Sequence, residues 1–208
     1  ADRPRRKALD LGCAVGRSTF ELARGFDCVT GLDFSANFIR QGVDMKEKGY
    51  IQYTRREEGE LATYVERRLD EFGLADTADR VEFFQADACN LIERCTGYDL
   101  VLAANLIDRL YSPGTFLARI GERIEPGGLL VLFSPYTWLP EFTERSEWIG
   151  AFRRDGEPFT TLEALHEHLA SAFEPLGVPR DIPFVIRETA RKFQHSIAQM
   201  TAWERKKT

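Results

Sequence analysis

The chain has no run approaching the roughly 18 apolar residues of a membrane-spanning helix. Its most apolar stretch, "GLLVLFSPYTWL", is broken by Ser134 and Pro135. No secretory pattern is read at its start, where a charged-then-apolar segment with a small-residue cleavage site would stand. Basic charge is not in excess: 28 Lys and Arg face 33 Asp and Glu, a formal net charge of −5. This argues against a nucleic-acid partner, which a basic face would meet. The basic stretch "RPRRK", Arg3 to Lys7, reads as a solvated lead-in to the first strand. Cysteine is sparse. Cys13, Cys28, Cys89 and Cys95 stand apart, with neither a C-x-x-C pair nor Cys/His ligand spacing. No metal site is therefore expected, and the thiols read as reduced residues of a cytoplasmic protein. Internal repeats, linkers and low-complexity tracts are missing too. Two phosphate-binding patterns also fail. Counted from Gly12, a dinucleotide G-x-G-x-x-G needs glycine at positions 14 and 17, which hold Ala14 and Arg17. No Gly-Lys follows to complete a phosphate loop.

What is present is an alternation of strand and helix signals. "RKALDLGC" is a buried strand entering a turn, and "STFELARG" a short helix with Ser18 and Glu21 as a capping box and Gly25 as its stop. "CVTGLDF" is a second strand ending at Asp33; Ser35 can cap the next helix, whose face carries Phe38, Ile39, Gly42 and Val43. An excursion spans about residues 45–79. In it "GYIQYTRREEG" reads as irregular, and Leu61, Tyr64, Val65, Leu69 and Phe72 mark an amphipathic helix ended by Gly73. "VEFFQAD" and "YDLVLAAN" are the third and fourth strands. "SPGTFLARIGERI" is a helix with Ser112 as cap and Pro113 in its first turn, and "PGG" separates it from a fifth strand, "LLVLFS". Beyond the aromatic segment 136–159, a helix from Thr161 carries Leu162, Leu165, Leu169 and Phe173. "DIPFVIRE" and "HSIAQMTAW" form a closing hairpin. Five alternations imply an α/β, doubly wound, Rossmann-like fold: a mostly parallel seven-stranded sheet with an antiparallel C-terminal hairpin strand. Residues 1–208 read as one domain. Its abrupt start suggests a domain excised from a longer chain.

In such a sheet ligands bind beyond the carboxyl ends of the strands, at the switch in strand order. The first turn reads Asp10-Leu-Gly12-Cys13-Ala14-Val-Gly16. The pattern D-x-G-x-A-x-G resembles motif I of class I S-adenosylmethionine-dependent methyltransferases, with Ala14 at a frequent glycine position. Gly12 and Gly16 would let the backbone approach the ribose and amino-acid part of that cofactor, with Cys13 and Ala14 between them, and Asp10 can receive its ammonium. Asp33, 23 residues on, can accept both ribose hydroxyls, as an acidic residue does in dinucleotide folds. By the resemblance Asp87 faces the adenine amino group, Ala88 offers a backbone N–H to the ring, and Phe34, followed by Ser35, flanks the adenine. Asn105 and Leu106, just after the fourth strand, lie close to the methyl in this fold.

A narrower likeness lies in the C-terminal half. "SPYTWLPEFTERSEWIGAF", "GEPFTTLEALHEHL" and "DIPFVIRETARKFQHSIAQMTAWER" resemble the methyltransferase domain of ovothiol biosynthesis. That domain commonly follows an iron-dependent sulfoxide synthase in one polypeptide, so fusion to or association with such an enzyme is implied. The resemblance implies methylation of the imidazole π-nitrogen of 5-thiohistidine, a small histidine-derived thiol. Methylation of another small imidazole or amine, or a non-catalytic scaffold that only binds the cofactor, are the alternatives. For the acceptor, Asn105 and Asp108 are the catalytic candidates, with Asp108 able to take an imidazole proton or orient the ring. Arg109, Tyr136 and Trp138 could wall its pocket. Arg187, in the otherwise apolar "PFVIRE", is the first choice for a substrate carboxylate, with Tyr53, Arg55 and Arg56 of the excursion as further options. His166 and His168 read as exposed beside a helical stripe. His195 lies near the hairpin turn.

Overall fold

The structure, a computed structural model, describes residues 3–207. The first apolar run is β1, Lys7–Leu11, buried after its first residue. A turn over 12–16 feeds α1, Arg17–Leu22. The capping box expected for α1 does not form: the cap is Gly16 at φ 94°. Ser18 donates to Asp10 at 2.6 Å instead, and Glu21 binds Arg17 and Arg24. The acid at the end of β1 outcompetes the helix for that hydroxyl. β2 is Cys28–Asp33 and α2 is Ala36–Lys48. Ser35 caps α2, accepting from the Phe38 N–H at 3.3 Å, and Gly49 closes it in the left-handed region.

The excursion differs from expectation. Neither an irregular segment nor an amphipathic helix lies over 50–68, but a hairpin: β3, Tyr50–Glu58, and β4, Leu61–Arg68. Pairing runs from Tyr50 opposite Arg68 to Glu58 opposite Leu61, leaving Gly59 and Glu60 as a two-residue tip. "LATYVERRL" satisfies both periods. Its β-branched and aromatic members, Thr63, Tyr64 and Val65, favour the strand, and Val65 and Leu69 are buried.

Short helical turns over Asp70–Phe72 and Ala75–Arg80 lead to β5, Val81–Gln85. β6 is Tyr98–Ala104. α3, Pro113–Ile120, has its proline in the first turn, but Ser112 bonds Thr115 and Glu147 rather than a helix N–H. β7, Ile124–Ser134, takes the "PGG" into the strand, where its register with β6 slips between Tyr98 and Leu100. A small hairpin, β8 Phe152–Arg154 and β9 Glu157–Phe159, sits in the aromatic segment. α4, Thr161–Leu169, has a Thr160–Glu163 capping box. Phe173 leaves the helical stripe for β10, Phe173–Pro175. The terminal hairpin is β11, Arg180–Arg187, and β12, Phe193–Arg205.

The sheet order is β10-β12-β7-β6-β1-β2-β5, with β11 paired to β12. β7, β6, β1, β2 and β5 are mutually parallel, and β12 is antiparallel to β7. The doubly wound α/β fold is as read. The sheet has eight strands rather than seven because both β10 and β11 pair with β12. One core lies on the α3/α4 side around Phe116, Ile120, Leu165 and Trp203. The other lies on the α1/α2 side around Phe20, Ile39, Met45 and Phe83. The basic lead-in is clamped rather than freely solvated: Arg6 binds the buried Asp99 at 2.7 Å, and Arg3 binds Glu204 at 2.6 Å. From β1 the chain moves to β2 and β5 on one side and then crosses to β6 on the other. The switch in strand order therefore falls between β1 and β6, at their carboxyl ends.

Candidate active site

The first turn is held by β2. The N–H groups of Gly12 and Cys13 both donate to the Leu32 carbonyl, at 2.8 and 3.0 Å. Asp33 braces the same turn. One oxygen accepts the Ala14 N–H at 2.9 Å and the other the Ser35 N–H at 2.8 Å. An ionised carboxylate has about four lone-pair sites, so both oxygens can still accept from hydroxyls. Gly12 sits at φ +71°, and a Cβ there would stand 3.0 Å from Leu106 Cδ1; its bare backbone is part of the cleft wall. Gly16 has a different reason. A Cβ there would lie 2.5 Å from the Phe83 ring of β5, so packing of the α1 start against the sheet by itself requires Gly16.

Three non-glycine residues after strands β1, β6 and β7 hold positive φ: Ala14 at 47°, Asn105 at 53° and Tyr136 at 52°. Such conformations carry a cost of order 1–3 kcal/mol each and gather at functional sites. Two buried carboxylate oxygens beside these strand ends have no hydrogen-bond partner among the described residues, Asp10 Oδ1 and Asp108 Oδ2. Asp10 is 1% exposed. Its other oxygen accepts from Ser18 and Thr19, at 2.6 and 2.7 Å. Burial pushes its carboxyl up, against those two hydrogen bonds, and the nearby Asp33 adds to the rise. The Cys13 thiol in the same turn is driven up by burial and the same carboxylates.

The cleft at the switch point encloses about 370 Å³. Gly12, Asp33, Phe34, Asp87, Ala88 and Leu106 line it. Phe34 stands 75% exposed at its edge. Asp87 accepts from the Cys89 N–H and from the Tyr111 hydroxyl, both at 2.8 Å. That bond, ahead of desolvation, pushes the Tyr111 phenol up to about 12. The opposite wall is Arg109, Tyr111, Glu141 and Phe142. Of these only Arg109 was singled out from the sequence; Tyr111 and Phe142 show themselves by exposure of large rings. Arg109 lies over the Phe142 ring, 4.7 Å from its centroid, and donates to the Asp108 and Thr137 carbonyls.

The remaining sequence candidates separate. Ser35 acts as the α2 cap. Asn105 is exposed at the end of β6, its N–H held by the Phe133 carbonyl. Asp108 does not open onto the cleft. It is 1% exposed, accepting from Ser134 at 2.8 Å and lying 3.2 Å from Arg109. A group so placed supports Arg109 and the end of β7 rather than touching an acceptor. Tyr136 is half-buried, donates to Gln199 at 3.1 Å, and is pushed up to about 12 by burial and then by Asp108. Trp138 is a core residue, 7% exposed, bonded to Thr161 and packed on Trp148. Tyr53 lines a separate cavity. Arg56 points from the exposed face of β3, opposite in alternation to Arg55 and Glu57. Arg187 is not a free anchor: its guanidinium binds Glu57 at 3.0 Å and the Thr189 carbonyl at 2.9 Å. With Arg191 on Glu58 and the Ala190 N–H on the Glu57 carbonyl, it ties the β11–β12 tip to the β3–β4 tip. His166, His168 and His195 are exposed.

Residues 9–132 match the family described as a methyltransferase domain, more than half of the chain, and the chain belongs to that family. No curated protein sequence matches significantly. Among solved structures, an S-adenosylmethionine-dependent methyltransferase of Methanosarcina mazei aligns with TM-score 0.64 at 17% identity, over 100% of this chain and 95% of that one. The N-methyltransferase NodS of Bradyrhizobium japonicum, in complex with S-adenosylhomocysteine, gives 0.57 at 14% identity, over 98% and 80%. The [4+2]-cyclase SpnF gives 0.60 at 16%, over 99% and 77%. These likenesses carry the fold. With the family match they make the protein an S-adenosylmethionine-dependent methyltransferase. The site fits that cofactor: the acidic strand ends that line the cleft, Asp33 and Asp87, suit hydroxyls and an amino group, and Asp10, buried in β1, keeps one oxygen without a partner among the described residues. Among the described residues, no group of His, Cys, Asp and Glu could hold a metal ion, and no helix is long and apolar enough to cross a membrane.

Proposed function

We propose that this chain methylates the imidazole π-nitrogen of 5-thiohistidine, giving ovothiol A and S-adenosylhomocysteine. One observation carries the reading. The stretches whose resemblance to the ovothiol methyltransferase is most specific follow β7 at Tyr136 and form the β11–β12 hairpin. β12 pairs with β7 only as far as Gln199 opposite Ser134, so residues 193–198 run past the carboxyl end of β7, on the cleft side of the sheet.

S-adenosylmethionine, when bound, supplies an electrophilic methyl on a sulfonium sulfur. Asp10 and Asp33 hold the cofactor's amino-acid and ribose ends, Asp87 and Ala88 the adenine, and Leu106 closes the floor against Gly12. What remains for the protein is aim and exclusion of water; good alignment contributes roughly 7–11 kcal/mol. The acceptor's sulfur is a stronger nucleophile toward carbon than its ring nitrogen, so selectivity is the harder task. Among the described residues, Arg109 is the one cation lining the cleft. Held by Asp108 and the Thr137 carbonyl, it pairs with the acceptor thiolate, keeps the sulfur off the methyl axis and leaves the nitrogen lone pair facing Asn105. Arg187, expected to hold the substrate carboxylate, is engaged with Glu57 instead. The association with a sulfoxide synthase belongs to the same reading.

The test is incubation of the protein with S-adenosylmethionine and 5-thiohistidine, with the methyl position assigned by NMR. Methyl on the π-nitrogen supports the reading. Methyl on sulfur, turnover only of other imidazoles or amines, or cofactor binding without turnover overturns it.

A further inference from the structure

A second cavity of about 510 Å³ lies between α1, α2 and the β3–β4 hairpin, within the usual size range of small-molecule sites. It shares no lining residue with the cofactor cleft. Its walls are mostly apolar, with Phe20, Phe38, Met45, Ile51 and Phe72 prominent. No acidic residue lines it; its charged members are Arg17 and Arg67. Arg17 is paired with Glu21 and stacked on Phe72. Arg67 is different. It is half-buried, and its one hydrogen bond among the described residues goes to the Glu66 carbonyl. Its neighbour Arg68 takes Glu66 and Asp70, and Arg55 takes Glu57. Arg67 lines the cavity, and with no acid partner among the described residues its guanidinium keeps donors for an anion, best a planar, two-oxygen one.

We propose that this cavity binds a small monocarboxylate with an apolar body, its carboxylate on Arg67 and its body between α1, α2 and β3. Charge complementarity supports it: among the described residues, the chamber's only uncommitted charge is positive. The site stands apart from the methyl-transfer reading and does not depend on it. Val15 of the glycine turn lines it and Gly12 of the same turn lines the cofactor cleft, so one loop contributes to both sites.

Isothermal calorimetry with decanoate and with decanol, on the whole chain saturated with S-adenosylhomocysteine, tests the assignment. Decanoate is expected to bind at one site in the presence of the cofactor product. Arg67→Gln weakens decanoate at least tenfold and leaves decanol binding unchanged, which also shows that the variant is folded. Ile51→Trp, which fills the chamber, abolishes binding of both. Failure of decanoate to bind, equal binding by the wild type and Arg67→Gln, or displacement of S-adenosylhomocysteine by decanoate overturns the proposal.

Discussion

Replacing Asp10 with Asn separates the two demands on this buried acid. Asp10 is nearly sealed from solvent. One oxygen serves Ser18 and Thr19, and the other has no partner. Asn keeps an acceptor for the two hydroxyls and turns an NH2 toward the orphan position, where it repels rather than receives an ammonium. A hydrogen bond to a charged group contributes about 1.5–3 kcal/mol, and about 1.4 kcal/mol is tenfold in affinity. Binding of S-adenosylhomocysteine should therefore weaken roughly ten- to 150-fold. Stability should move the other way. The folded-state carboxyl is raised above its ordinary value, chiefly by burial. Its favourable contribution is complete below the unfolded-state value and is lost as pH rises through the folded one. The cofactor-free wild type thus loses stability over that interval, and Asp10→Asn does not. Calorimetric titration and urea unfolding from pH 4 to 8 read both effects. An unchanged dissociation constant together with an unchanged pH slope would refute the reasoning.

Four further outcomes follow from the geometry. Tyr111→Phe frees the clasped oxygen of Asp87 and should weaken S-adenosylhomocysteine by roughly two- to twelvefold, measured by calorimetry. Gly16→Ala drives a methyl into Phe83 and should cost about 1–3 kcal/mol in urea unfolding, with cofactor affinity of the folded fraction largely kept. Arg109→Ala should raise the acceptor KM more than the cofactor KM and shift methylation toward sulfur, read by NMR of the products. Burial raises the Asp99 carboxyl, but the Arg6 side chain and the Arg6 and Lys7 N–H groups outweigh it and hold it below its ordinary value. That stability is present above the unfolded-state value and is lost as pH falls through the folded one, so Asp99→Asn should lower Tm at pH 7 and flatten the acid limb of a Tm–pH curve.

Local chemistry was readable in the sequence. The glycine turn, the acids closing β1, β2 and the strand before Asp87, the Ser35 cap and the terminal hairpin all declare themselves within a few residues. Features made by distant segments did not. That β5 sets Phe83 against Gly16, together with Gly31, could not be read from the turn itself. The β3–β4 hairpin was hidden because its charged residues fit either period and its partner strand supplies the deciding contacts. Arg187 looked free on an apolar strand; Glu57, its partner, is 130 residues away. Tyr111, Glu141 and Phe142 meet across the cleft only after the segment beyond β7 returns to it. Asp108 reads from the sequence as a group able to take an imidazole proton or orient the ring, and becomes a buried support once Ser134 and Arg109 close on it.

The seat formed by the glycine turn and the three acidic strand ends is tested most directly by a crystal structure with S-adenosylhomocysteine bound. The account predicts both ribose hydroxyls within hydrogen-bond distance of Asp33, the adenine beside Phe34 and Ala88 with its amino group toward Asp87, and the ammonium at Asp10 directly or through one water. A ligand bound elsewhere, or an Asp33 carboxylate engaged only with Ala14 and Ser35 while the ribose lies beyond its reach, would contradict it.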